Sequence, residues 1–310
     1  MSNLLVAVDQ FLDQFAQRYR PRSVEIKSLT LHQLSEYLAD HKIQRWADCD
    51  QARLQKYIIY LHKGDKHHST FTKPLTLTSL KTHLANIRVF FDFLESQEII
   101  TSNPARLVKT PKVQQALPKV IAVDTIQELL DQTPDPDNPL ETRDLAICEL
   151  FYSSGVRLSE LTALDIKHIS LSANEIRVMD GKGGKDRIVP LGNKAKEALQ
   201  KWFMIRDQWM KQDNALFITQ QGNRLTSRQI SNRVKHIADK LGKGLKINPH
   251  MFRHSMATHV LESSQDIRSV QELLGHADIS TTQVYTHLDF GHLSKVFDSA
   301  HPRAKKKPKN

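Results

Sequence analysis

Cysteine is nearly missing: Cys49 and Cys148 are the only two in 310 residues, and they form no CxxC pair. That excludes a disulfide framework and a thiolate zinc site, so both are expected as reduced packing residues. No stretch approaches the roughly 20 apolar residues of a membrane-spanning helix. The first ten residues carry polar side chains and Asp9 where a signal peptide places a basic and then an apolar run, so a cytoplasmic protein with no membrane association is expected. The HExxH glutamate is also absent, because Met251 follows His250. A Walker loop is absent too: Gly181-Lys182 leads into strand-like residues and not into Ser/Thr opening a helix. Zinc hydrolysis and nucleotide binding are thereby set aside, and no metal or cofactor is expected.

What is abundant is positive charge. The chain carries a net +10, with 15 Lys+Arg against 11 Asp+Glu in residues 1–110 and 29 against 23 in the remainder. Both halves are basic, which suits a polyanion touched by both, although net charge bears on association and not on specificity. A hydrophobic fraction of 39% in a chain of this length supports a folded protein of two domains.

Val8, Phe11, Leu12, Phe15 and Tyr19 recur at helical spacing, as do Leu84, Ile87, Phe91 and Leu94. Leu54, Tyr57, Ile58 and Leu61 repeat the pattern behind the capping residue Asp50. With a segment over 26–38 these predict a four-helix unit, interrupted between Leu61 and Leu80 by a polar, His-rich loop. Pro104, Pro111 and Pro118, with lysines and little periodicity between them, predict an extended linker. The expected division is a first domain at 1–108, a linker at 109–118 and a second domain at 119–310.

In the second domain Asp124 is expected to open a helix in capping-box fashion, and a helix over 142–154 ends at Gly155. Residues 175–180 and 187–191 predict a β-hairpin whose basic tip is Gly181-Lys182-Gly183-Gly184-Lys185-Asp186. Helices follow over 198–209 and 230–241, then one opened by Asn248-Pro249 and one running from Asp266 to Gly275. A short helical stretch after Ser280 contains Tyr285, and 303–309 form a solvated basic run.

Six residues stand out chemically: Arg157, Lys182, His250, Arg253, His276 and Tyr285. Taken singly each has a bland reading as a surface arginine, a turn lysine or a filling tyrosine such as Tyr152. As a set they supply an anion clamp, proton-transfer groups and a phenol nucleophile. His250 and Arg253 lie three apart and share one helix face. Guanidinium binds phosphate oxygens bidentately and stays charged at any working pH. Glu160, three residues after Arg157, can orient it. A tyrosine with its ordinary pKa near 10 needs neighbouring cations and a base before it attacks at neutral pH. A lysine at a hairpin tip can reach a leaving oxygen and protonate it. The inventory suits metal-free phosphoryl transfer on DNA. Lys185, Arg228 and Arg233 are candidates for phosphate contacts on the basis of charge and proximity to these motifs.

Gly-Val-Arg157-Leu-Ser-Glu-Leu, Gly-Lys182-Gly-Gly-Lys-Asp-Arg, His250-x-x-Arg253-His, Leu-Leu-Gly-His276 and Val-Tyr285-Thr-His occur in that order. Together they resemble the tyrosine recombinase (phage integrase) family, most closely its Xer chromosome-resolution members. The ending from Tyr285-Thr-His-Leu-Asp-Phe to Ala300-His301-Pro302-Arg303 is similar to the XerC branch of that group. The resemblance implies a mainly α fold with a small β-sheet: a helical, SAM-like core-binding domain that contacts DNA, then an α+β catalytic domain. It implies that Tyr285 attacks the scissile phosphodiester to give a 3′-phosphotyrosyl link and a free 5′-hydroxyl. Arg157 and Arg253 then bind the non-bridging oxygens, His276 adds a hydrogen bond, Lys182 is the general acid and His250 handles the nucleophile's proton. The implied partners are double-stranded DNA, a second related, XerD-like recombinase in a heterotetramer and a division-linked DNA translocase. Leu288, Leu293, Val296 and Phe297 would dock on a neighbouring protomer. Resolution of chromosome dimers at a dif-like site is the leading expectation. A phage, plasmid or integron integrase, and a DNA-binding protein with an idle active site, are the alternatives.

Overall fold

In the computed structural model residues 3–19, 21–64, 74–109, 120–179, 186–209, 213–274 and 287–304 are described, the last stretch with side chains from 293 onward. The chain divides into two units, Met1–Ala116 and Leu117–Asn310. The dividing line falls inside the stretch expected as a linker, of which residues 110–118 lie outside the described residues.

The first unit is built from α1 (Asn3–Ala16), α2 (Pro21–Asp40), α3 (Gln51–Lys63) and α4 (Leu77–Ser96). Their apolar stripes meet: Val8, Phe11 and Phe15 face Leu34, Leu54, Tyr57, Ile87, Phe90 and Phe91 in one buried cluster. Asp50 caps α3 as expected, its carboxylate accepting from Arg53 N at 2.8 Å. The His-rich loop is narrower than its composition suggests, because α3 runs on to Lys63 and Thr76 caps α4. Residues 103–109, expected to lead into a free linker, are tied down. Arg88 donates to the carbonyls of Ala105 and Val108 at 3.0 and 2.8 Å. Asn103 caps the turn that contains Pro104.

The second unit comprises α5 (Val123–Leu130), α6 (Pro139–Ser154), α7 (Leu158–Ala163), β1 (Ile169–Ser170), β2 (Glu175–Val178), β3 (Arg187–Pro190), α8 (Asn193–Arg206), α9 (Ser227–Lys240), α10 (Pro249–Ser264), α11 (Ile267–Leu274) and α12 (His287–Ala300). The strands form an antiparallel sheet in the order β1-β2-β3, with Val178 paired to Arg187 at the base of the hairpin. The molecule is thus mainly helical with a small sheet, as expected. β1 was not anticipated, since two residues carry no periodicity. Asp124 lies inside α5 and does not cap it; the cap position belongs to Ala122. α8 begins earlier than expected because its first turn, Asn193 to Lys196, contributes only Ala195 to the apolar pattern.

α6 is the centre of this unit, buried along nearly its whole length beneath α8, α9 and α10. A helix covered on all sides must have its charges paired, because an isolated buried ion is costly. Asp144 accepts from Arg143 at 2.8 Å and from Arg233 at 2.5 Å, and Glu141 accepts from Lys240 at 2.7 Å. Glu149 accepts from Arg303 at 2.8 Å. Arg303 therefore does not belong to a solvated run: it is 7% exposed and also bonds Asp131. Leu293 and Phe297, expected to meet a neighbouring protomer, are 3% and 1% exposed within the core of their own unit, and Val296 is half-buried. The side chain of Leu288 lies outside the described residues. Cys49 and Cys148 are buried and unbridged, packing residues in different units.

Candidate active site

Gly155 organises the site. α6 ends there because Gly155 adopts φ +59, and its N–H donates back to Phe151 O at 3.0 Å. Two residues later Arg157 stands at the N-cap of α7, and Glu160 reaches back to it. The Glu160 carboxylate accepts from Arg157 N and from Arg157 Nη1, both at 2.7 Å. The orientation of Arg157 by Glu160, foreseen from their spacing, is present. Arg157 remains partly exposed at 23% of its side chain.

Arg253 arrives from α10. Asn248 caps that helix, its side chain accepting from Met251 N, and Pro249 occupies the first position. Arg253 is 8% exposed. Its Nη1 donates to Gly155 O, and its Nη2 to Leu274 O at 2.6 Å. One guanidinium thus joins the turn that carries Arg157 to the end of α11. Burial, with repulsion from Arg157 and Arg187 offset in part by Glu160, brings the Arg253 pKa down to about 10. It stays charged at neutral pH. Carbonyls fix a guanidinium without neutralising it, so among the described residues the charge on Arg253 is uncompensated by a direct carboxylate contact and is available to an anion.

A third guanidinium was not foreseen. Arg187, the first residue of β3, is 7% exposed and forks onto Glu160, its Nη1 and Nη2 donating to Oε1 and Oε2 at 2.8 Å each. Among the described residues its Nε is buried without a hydrogen-bond partner. A signal existed in the sequence: Arg187 shares its strand face with Val189, so a charged residue occupies a core-facing position. Burial alone would raise the Glu160 carboxyl, but hydrogen bonds from Arg187 and Arg157 hold it at about 2.

The structure therefore brings Arg157 and Arg253 together and adds Glu160 and Arg187. His250 is exposed, one turn ahead of Arg253 on α10. Lys182, Lys185, His276 and Tyr285 lie outside the described residues. Arg228 is exposed on the first turn of α9, whereas Arg233 on the same helix is engaged by Asp144. Among the described residues no cluster of three or more His, Cys, Asp or Glu side chains is placed to hold a metal, and no helix is long and apolar enough to cross a membrane.

The phage integrase family profile matches residues 119–292, more than half of the chain. Tyrosine recombinase XerC of Pseudomonas putida strain KT2440 is 48% identical over 276 residues, covering 89% of this chain and 88% of that protein. The XerC of Escherichia coli O157:H7 is 44% identical and covers 89% of each. Among solved structures, the XerH site-specific recombinase bound to palindromic difH substrate aligns with a TM-score of 0.65 at 22% identity, over 89% of this chain and 79% of that one. The Tn1549 transposon integrase in complex with circular intermediate DNA gives a TM-score of 0.70 at 15% identity, over 95% and 99%. At such identities the two structural likenesses speak for the fold alone.

Proposed function

The chain belongs to the phage integrase family of tyrosine recombinases, enzymes that cut and rejoin DNA strands at specific sites, and from that premise we propose that it resolves chromosome dimers. It acts on double-stranded DNA at a dif-like site, in a heterotetramer with a second, XerD-like recombinase and under a division-linked DNA translocase. The kinship with XerC proteins at 44–48% identity supports that choice over a phage, plasmid or integron integrase.

The observation that carries the chemistry is the convergence of Arg157 and Arg253 around Gly155 and Glu160. Two guanidiniums fixed beside each other, one of them held, among the described residues, by carbonyls alone, form a socket for a phosphodiester anion. Bound across the non-bridging oxygens, they stabilise the charge that grows as phosphorus becomes pentacoordinate. In the proposed step the Tyr285 Oη–P bond forms as the P–O5′ bond breaks. His250 takes the phenol proton, Lys182 gives a proton to the departing O5′, and His276 adds a hydrogen bond to the phosphate. The phosphodiester bond energy is kept in the phosphotyrosyl link, so rejoining needs no nucleotide. Residues 1–108 act as the core-binding domain and residues 119–310 as the catalytic domain.

A supercoiled plasmid with two directly repeated dif-like sites tests this reading. With the XerD-like partner present it should be resolved into two circles. Recombination at phage attachment or integron sites, with none at dif-like sites, would overturn the chromosomal assignment and leave the family membership intact.

A further inference from the structure

Arg187 has no part in the chemistry so far, yet its placement is costly. A buried arginine–glutamate pair is a weak source of stability, because desolvation consumes most of what the charges return, and apolar residues of similar volume do as well or better. This pair is buried on both sides, at 6% and 4% side-chain exposure, and among the described residues leaves Arg187 Nε without a hydrogen bond. What distinguishes it is the third member. Oε1 of Glu160 accepts from Arg187 Nη1 and Arg157 Nη1 together, at 2.8 and 2.7 Å. Oε2 accepts from Arg187 Nη2 and from the Arg157 backbone N–H, at 2.8 and 2.7 Å. Each carboxylate oxygen thus has one bond to Arg187 and one to Arg157.

We infer that Arg187 is a positioning residue for phosphoryl transfer: by locking both oxygens of Glu160 in one plane, it fixes the backbone and the guanidinium of Arg157 where the phosphate is clamped. This rests on the reading of Arg157 as a phosphate clamp. Without Arg187 each oxygen of the carboxylate keeps only its bond to Arg157 and gains an unshared acceptor site, so Arg157 is held less firmly while keeping its charge. Arg187 is also poised to repel Arg253, as the electrostatics of Arg253 register. The charge of Glu160 offsets that repulsion in part. Arg187 therefore acts through Glu160 and does not itself touch the DNA.

The test uses the full-length protein and nicked suicide duplexes carrying the dif-like site, with the scissile linkage either an ordinary phosphodiester or a methylphosphonate. The methylphosphonate lacks one anionic oxygen and needs the clamp less. Single-turnover adduct formation is compared for wild type, Arg157→Ala, Arg187→Gln and Arg187→Lys. On the phosphodiester Arg157→Ala should lose on the order of 10³-fold or more and Arg187→Gln on the order of 10²-fold, with Arg187→Lys losing less than Arg187→Gln; on the methylphosphonate each loss should shrink by about 10-fold or more. The ratio of the two losses is independent of how much of a variant is folded, so a role in stability alone cannot produce it. Equal losses on both substrates for Arg187→Gln, or none, with Arg157→Ala still selective, would overturn the inference and spare the clamp. Equal losses for Arg157→Ala would overturn the clamp itself, and the inference with it.

Discussion

Glu160→Gln exchanges the acceptor of four hydrogen bonds for an amide that accepts at one end only. In the wild type the carboxyl is held at about 2 against an ordinary 4.5, and its side chain is 4% exposed, so solvent screens it little. That gap corresponds to about 3 kcal/mol of folding free energy. Because the folded value lies below the unfolded one, the contribution is whole above about pH 5 and is lost as the pH falls toward 2, with about 2 kcal/mol gone by pH 3. Glutamine does not titrate. At pH 7 the variant should be less stable by roughly 3–5 kcal/mol, since Arg187 is left buried without its counter-charge. The difference between the two proteins should then shrink by about 2 kcal/mol at pH 3. Urea unfolding of both at pH 7, 5, 4 and 3 measures it, and the subtraction removes every other carboxylate. A gap that stays constant from pH 7 to pH 3 would refute the account of Glu160 as the ionised centre of the cluster.

Gly155→Ala should destabilise by about 2–4 kcal/mol, combining a left-handed backbone with overpacking. An added Cβ would meet Met256 Cε at 2.0 Å and Leu274 Cδ2 at 3.3 Å, and relieving the first contact with Met256→Ala should recover only part of the loss in thermal unfolding. Arg303→Ala strands the Glu149 carboxylate, 3% exposed, and should cost about 3–5 kcal/mol in the same assay. For the same reason a truncation from Leu288 onward should unfold the second unit and not merely block assembly; a cooperative, wild-type-like melt would contradict this. Arg157→Lys keeps the charge but not the fork, and its cleavage of suicide substrates should fall by on the order of 10³ or more.

Much of this was legible in the sequence. The helices of the first unit followed from apolar spacing, and Asp50 in that unit and Gly155 and Asn248-Pro249 in the second marked helix termini because caps and left-handed positions restrict residue choice. The pairing of Glu160 with Arg157 was legible too, as both fall within one turn. Arg187 was not, because its partner Glu160 lies 27 positions away and contact at that range is set by tertiary packing. The ion pair of Arg233 with the buried Asp144 of α6 was hidden for a like reason, since the two lie 89 positions apart. Leu293 and Phe297 showed an apolar helix face, and periodicity cannot say whether such a face is covered by its own unit or by another chain.

The central claim is that Tyr285 forms a covalent bond to DNA, and it is tested most directly with a nicked suicide duplex carrying a dif-like site. Wild type and Tyr285→Phe are incubated with it, denatured and resolved, and the adducted peptide is identified by mass spectrometry. The account predicts a denaturation-resistant protein–DNA adduct at Tyr285 in the wild type and none in Tyr285→Phe. An adduct that persists in Tyr285→Phe, or one mapped to another residue, would contradict it.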